Sequence, residues 1–308
     1  MSKKDMTMRK WRREYMRIVR LRNLAAATLD ERAKCSKDLC RAIGPDRRLR
    51  KVRPVHVAQA MRAVWEAGQQ SRAQRLLVVA RDMFAEAVSA GALDKNPAMH
   101  VKPLPYHVRR ARLSIRHWRR TQAVLAGERA KWRRLLAVLA LVTGQRRSDL
   151  VKMRFADVWG GYLHVEQVKT GARIALPLDL KLRAIKMTLG DVIELCRAYE
   201  PPGETLLRKS TGAPVSVGML SKAFTSAFAL AVKRWRHPEH TTPSLAECRS
   251  LSERLYSSQG IDTQTLLGHK RPATTALYHD DRGLSRAEGR WRHLSLRRRR
   301  RRRRKAAK

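Results

Sequence analysis

Acidic residues are scarce in this chain: its 308 residues hold 26 Asp and Glu against 68 Lys and Arg, a formal charge of +42. Cysteine is scarcer still. Cys35, Cys40, Cys196 and Cys248 are scattered without CxxC spacing, which argues against a disulfide framework or thiolate zinc site and reads as reduced thiols in a cytoplasmic protein. His237 and His240 have a ligand-like interval but no cysteine pair beside them, so no metal is expected there. The N-terminal MSKKDMTMRKW is basic and lacks the apolar stretch of a secretory signal. The longest strongly apolar run, Leu135–Val142, falls well short of the roughly 20 residues that cross a bilayer. A soluble chain that makes no use of the membrane is the expectation.

What is present in excess is positive charge. The last twelve residues, Arg297–Lys308, contain eight Arg and two Lys, yet the other 296 residues still carry +32. Such a surplus repels itself unless a polyanion neutralises it, and nucleic acid fits that role better than an acidic membrane surface. The hydrophobic fraction of 43% can fill real cores, and the length suits two domains.

The first hundred residues read as a helical bundle. Thr28-Leu-Asp-Glu31 forms a capping box that opens a helix running towards Gly44. Pro54 suits the first turn of a second helix that stops near Gly68. Ser71 is placed to cap a third, in which Leu76, Ala80, Met83, Ala87 and Val88 recur at helical spacing before Gly91. Residues 101–113, VKPLPYHVRRARL, hold two prolines and several basic residues without helical period, which predicts a basic linker. Beyond it the pattern is mixed. A helix over Lys131–Val142 is followed by two extended runs, Tyr162–Gln167 and Ala172–Leu178, around Lys169-Thr-Gly171, which predicts a β-hairpin. Further helices are expected from Thr188, over Ser221–Trp235, and from Ser244 to about Asp280. The domains are thus expected at 1–100 and 114–293, with an arginine-rich disordered tail at 294–308. The fold class is mainly α with a small antiparallel β element.

Short motifs stand in order along the second domain. Thr143-Gly-Gln-Arg-Arg-Ser-Asp-Leu150 is followed by Gln167-Val-Lys-Thr-Gly171, Glu247-Cys-Arg-Ser-Leu251, Leu266-Leu-Gly-His-Lys270 and Tyr278-His-Asp-Asp-Arg-Gly283. This set resembles the motifs of the tyrosine recombinases, in particular the lambda-type phage integrases. The resemblance runs over roughly residues 50–293, weakly in the helical part and strongly in the second domain. It implies a SAM-like core-binding bundle followed by a mixed α/β catalytic domain. It also implies a site-specific DNA recombinase, with a 3′-phosphotyrosyl intermediate that conserves the energy of the broken bond.

The chemistry explains why such residues belong together. A tyrosine hydroxyl, with an ordinary pKa of about 10, must attack a phosphodiester that is already negative. No carboxylate cluster suited to a metal is evident, and Asp280 and Asp281 are adjacent on an expected helix and point apart. Two guanidiniums can meet the charge instead, each with a planar fork of donors. By the resemblance these are Arg146 and Arg249, Lys169 protonates the departing 5′-oxygen, His269 donates to the phosphate and Tyr278 is the nucleophile. Tyr256 is the other tyrosine to consider for that role. No cofactor or metal is implied. The implied partners are duplex attachment sites, further copies in a homotetramer on synapsed DNA from protomers that can be monomeric in solution, and an accessory DNA-bending protein or excisionase. The setting is a bacterial host cell, at the nucleoid.

Two departures stand out. Where the family has His-x-x-Arg, this chain has Ala246-Glu-Cys-Arg249. The alternative reading is therefore a catalytically weakened, recombinase-derived DNA-binding protein. Many lambda-type integrases also carry an additional N-terminal DNA-binding domain; none is expected here, or only the basic segment Ser2–Arg22 in its place. Trp291 falls where the family packs a C-terminal segment onto a neighbouring protomer.

Overall fold

The computed structural model describes residues 6–106, 110–235 and 240–278. The chain separates into two compact units, residues 1–108 and 109–308. His237, Asp280, Asp281, Trp291 and the arginine-rich tail lie outside the described residues. Among those described, no helix is long and apolar enough to cross a membrane.

The first unit packs α1 (Met8–Arg20), α2 (Ala26–Ile43), α3 (Pro54–Glu66) and α4 (Gln70–Ser89) around one core. Trp11, Tyr15 and Val19 recur four residues apart on α1 and are all buried, as one face of a helix requires. The Trp11 indole donates to the Met83 carbonyl at 3.0 Å, and the Tyr15 hydroxyl to Asp82 at 2.7 Å. Arg22 and Arg32 close on the same Asp82 carboxylate. Most of the Ser2–Arg22 segment is therefore a helix built into the bundle. Two helix starts also differ from expectation. α2 begins at Ala26, ahead of Thr28, with no side-chain cap. α4 begins at Gln70, and Ser71 accepts instead from Arg75 one turn on, at 2.7 Å. Burial of the apolar face, not the cap residue, sets where these helices start.

In the second unit α5 (Ile115–Ala126) leads into α6 (Lys131–Thr143), whose last eight residues, Leu136–Thr143, are all buried. A helix apolar all round is a core helix, and α6 packs against α5, α8 (Leu189–Arg197), α9 (Val217–Ala231) and α10 (Glu247–Ser257). Each Leu or Val so buried contributes roughly 1.5–3 kcal/mol. Residues 110–113 of the expected linker are packed in this unit too: Ala111, Arg112 and Leu113 are buried, and Ala111 N–H donates to the Thr241 carbonyl at 3.0 Å.

After the short α7 (Arg147–Leu150) comes an antiparallel sheet in the order β1 (Val158–Trp159), β2 (Tyr162–Glu166), β3 (Arg173–Pro177). Its register runs from Tyr162↔Pro177 to Glu166↔Arg173, leaving residues 167–172 as the turn of the expected hairpin. Leu163, Val165 and Gln167 alternate inward. A two-stranded pair, β4 (Lys181–Leu182) and β5 (Met187–Thr188), precedes α8. Two expectations shift here. α9 starts at Val217, capped by Ser216, and ends four residues before Trp235. The expected helical stretch from Ser244 breaks into α10, α11 (Thr263–Leu266) and α12 (Pro272–Ala276), so Tyr278 lies on the turn after a helix.

Gly144 ends α6 at φ +63°, and a Cβ there would lie 2.8 Å from Ser252 Oγ and 3.3 Å from Leu267 Cδ2. A left-handed backbone and a close approach thus coincide. Gly144→Ala is expected to destabilise the protein by about 1–3 kcal/mol, read as a lower midpoint in denaturant unfolding.

Candidate active site

The turn after α6 carries the first of the expected residues. Arg146 is half-buried at the entry to α7 and donates from Nη1 to Gln167 Oε1 at 2.6 Å. Gln167 is fully engaged. Its Oε1 also accepts from Thr170 Oγ1 at 2.8 Å, and its Nε2 donates to Gln145 Oε1 at 2.8 Å and to the Leu267 carbonyl at 3.0 Å. Gln145 in turn donates to the carbonyls of Thr143 and Leu266. Two neutral amides therefore join the α6–α7 turn, the hairpin and the loop before His269. Gly268 makes the last of these approaches possible: at φ +60°, any Cβ would sit 2.9 Å from Gln167 Nε2.

Arg249 projects from α10 and is only 3% exposed. Its Nη1 donates to the Gly144 carbonyl at 2.8 Å and its Nη2 to the Leu267 carbonyl, with His269 Nε2 at 3.0 Å. Its Nε is buried without a hydrogen-bond partner among the described residues. Burial pushes the Arg249 guanidinium down to about 10 and the charge of Arg146 adds to this, while Tyr278 and Asp149 oppose it. It remains a cation at neutral pH. Among the described residues no carboxylate forms an ion pair with Arg146 or Arg249. The nearby Asp149 instead accepts the Val168 backbone N–H at 3.0 Å.

His269 is buried beside them. A guanidinium can only donate, so the Nε2 facing Arg249 accepts, and the proton resides on Nδ1, which donates to Thr275 Oγ1 at 2.9 Å. Burial, then the charges of Arg249 and Arg146, push the imidazole down to about 4, so it is neutral at pH 7. Tyr278 completes the cluster. Its ring centroid lies 5.3 Å from that of His269 and 5.7 Å from the Arg249 guanidinium carbon.

Lys169 stands apart, exposed on the hairpin turn, with no hydrogen bond or ion pair to the other four among the described residues. Tyr256 is unsuited to attack: it is fully buried, its hydroxyl donates to the Val142 carbonyl at 3.0 Å, and burial raises its pKa far above the ordinary value. Among the described residues no group of three His, Cys, Asp or Glu side chains could hold a metal. The chemistry on offer is that of two fixed cations, a neutral imidazole and a tyrosine. Such an arrangement suits an anion whose charge grows during reaction.

The sequence pattern of the phage integrase family matches residues 121–283. The chain belongs to this family. Its relatives include a prophage integrase of Escherichia coli K12, 39% identical over 235 residues, covering 74% of this chain and 62% of that protein. The integrase of enterobacteria phage P21 is 38% identical over 76% of this chain and 63% of its own length. The chain thus spans somewhat under two thirds of the length of these two relatives. A lambda integrase fragment, solved as a dimer bound to a COC′ core site, matches with a TM-score of 0.86 at 31% identity, over 94% of this chain and 100% of the fragment.

Within this integrase fold, sequence reasoning gave no role to Gln145, Gln167 or Thr275. Gln167 had a signal, because it continues the inward alternation of Leu163 and Val165, where a buried amide must find partners. Thr275 had none.

The neutral His269 has a consequence for stability. Its ordinary value is 6.5 and its folded value about 4. Between these the unfolded chain binds a proton that the folded protein excludes, so stability falls as pH drops through this window and levels off below it. From about pH 7.5 to about pH 4.5, the wild type is expected to lose more unfolding free energy than His269→Gln. Parallel pH curves in denaturant titrations would show that the imidazole is not held neutral.

Proposed function

We propose that the protein is a site-specific DNA recombinase that cleaves and rejoins strands through a 3′-phosphotyrosyl bond at Tyr278. The observation that carries this reading is the Tyr278 ring set beside His269 and Arg249, where neither Arg249 nor Arg146 forms an ion pair with a carboxylate among the described residues. In this reading the two arginines hold the non-bridging oxygens of the scissile phosphate, the task for which forked donors are suited. Tyr278 oxygen attacks phosphorus, the bond to the 5′-oxygen breaks, and Lys169 supplies that oxygen with a proton from the exposed turn. Once the bound phosphate takes over the Arg249 donor that His269 Nε2 accepts in the free protein, the Tyr278 proton passes to that Nε2, and the imidazolium then donates to the same phosphate. Rejoining runs these steps in reverse, so no external energy source is required.

The partners follow by analogy. Lambda integrase has been solved as a dimer on a core site and as a tetramer on a Holliday junction. This chain is accordingly proposed to bind duplex attachment sites through both units, the helical one as a core-binding domain, and to act as a homotetramer. An accessory DNA-bending protein or excisionase and a bacterial host cell belong to the same proposal.

The test begins with a pool of nicked suicide duplexes randomised around the crossover, from which the wild type selects those that trap it covalently. Tyr278→Phe retains the ring but not the attacking oxygen. It is expected to bind the selected duplex with unchanged affinity and to form no adduct that survives a denaturing gel. An adduct from Tyr278→Phe would assign the nucleophile elsewhere.

Ala246 bears on rate within the same proposal. It stands exposed at the start of α10 with helical backbone angles, three residues before Arg249, a spacing that puts both on one helix face. A histidine there would reach the region of the phosphate that Arg249 is proposed to hold. One regained hydrogen bond to a charged group contributes about 1.5–3 kcal/mol, or roughly ten- to a hundred-fold in rate. Ala246→His is therefore expected to speed single-turnover cleavage by that factor with little change in DNA affinity. An unchanged rate would mean that position 246 does not limit the reaction.

A further inference from the structure

The peptide that carries Tyr278 is held from outside its own helix. The helix before it, α12, has five residues, too few to be stable alone. Within that turn Tyr278 N–H donates to the Thr275 carbonyl at 2.9 Å. The other grips are tertiary. The Leu277 carbonyl accepts from Arg112 Nη2. The Tyr278 carbonyl accepts from Ser250 Oγ at 3.0 Å and from Arg254 Nη1 at 3.4 Å. Arg254 also donates to Ser250 Oγ and to the Leu113 carbonyl, each at 2.7 Å. The nucleophile's backbone is thus fastened to α10, the helix that bears Arg249, and to residues 112–113.

Arg112 is the part of this arrangement that stability alone does not explain. It is 5% exposed and pairs at 3.0 Å with Glu247, itself 8% exposed. A buried ion pair is weak evidence for stability, since apolar replacements of similar volume often match or exceed it. The pair does fix the direction of the guanidinium. With Nη1 on Glu247, Nη2 reaches the Leu277 carbonyl, and the guanidinium carbon lies 5.9 Å from the Tyr278 ring centroid. The ring therefore has Arg249 and Arg112 at nearly equal distances, 5.7 and 5.9 Å. Only Arg249 belongs to the proposed phosphate site.

We propose that Arg112, aimed by Glu247, is a positioning residue for the nucleophile: it fixes the Leu277–Tyr278 peptide, and through it the reach of the Tyr278 hydroxyl. The inference rests on the recombinase reading given above. Arg112 acts on backbone and not on DNA, so its loss slows attack without weakening binding. Because Leu113 is held by the same Arg254 that holds Tyr278, displacement of residues 110–113 is passed to the nucleophile.

The test uses the full chain and a nicked duplex selected with the wild type. Arg112→Met combined with Glu247→Gln removes both charges of this ion pair together. Single-turnover adduct formation at saturating DNA is expected to slow on the order of ten- to a hundred-fold, the rate equivalent of a lost charged hydrogen bond. The dissociation constant for DNA should stay unchanged. Deuterium exchange should accelerate in the peptide spanning 272–278 and remain as in the wild type through α5, α6 and α9. Arg112→Lys keeps the charge pair but lacks the fork to reach Leu277 as well, so it should slow adduct formation with the ion pair intact. It serves as the deciding variant should the double substitution fail to fold. Wild-type rate with wild-type exchange at 272–278 in either folded variant would overturn the proposal. A wild type that traps no duplex would instead sink the recombinase reading itself.

Discussion

Burying the Arg249 guanidinium imposes a demand that the surrounding loops have to meet. A cation taken out of water is costly unless most of its donors are satisfied. Here the acceptors are backbone carbonyls, those of Gly144 and Leu267. Each is presented by a turn with a left-handed glycine, Gly144 itself and Gly268 after Leu267. The end of α6 and the loop before His269 are therefore shaped by one side chain on α10. Arg146 raises the cost, since its charge opposes the protonated state of Arg249.

The polar groups around the pair orient it without cancelling it. Gln167 and Gln145 are neutral, and one oxygen of Gln167 aims Arg146 while its nitrogen ties down Leu267. A carboxylate at 167 would pair with Arg146 and lose both donor contacts. Asp149 lies near enough to act on Arg249, yet it spends an oxygen on the hairpin backbone at Val168. The excess positive charge is thus left for a ligand to neutralise. The same field bears on His269: burial, then the two nearby cations, keep the imidazole neutral.

Much of this site is legible in the amino-acid sequence, and the limits have physical causes. Arg146, Arg249, His269 and Tyr278 sit in motifs whose order is informative, and the structure brings these four together. The hairpin is readable because period-two alternation survives over five residues of β2. β1, β4 and β5 have two residues each, too short for any alternation to register. Thr28, Ser71 and Ser221 resemble helix starts, but burial of neighbouring turns moves each start by one to four residues. Arg112 is hidden for a different reason. In sequence it is one basic residue among several in an expected linker, and only its packing against Glu247 and Leu277 separates it from the rest.

Ala246 stands where the resemblance to the tyrosine recombinases implies a histidine, and the physics of the remaining groups bears on what that departure means. A binding protein freed from catalysis has no need of an unneutralised guanidinium inside its core. Exchanging it for a well-packed apolar side chain would often stabilise the fold. Arg249 nonetheless remains buried with its carbonyl acceptors in place, and Gln167 still directs Arg146. Tyr278 is held beside them through the carbonyls of Leu277 and Tyr278 itself. On the recombinase reading proposed above, these features belong together at the site of bond-breaking. That arrangement favours the recombinase reading over a relic that has stopped cutting.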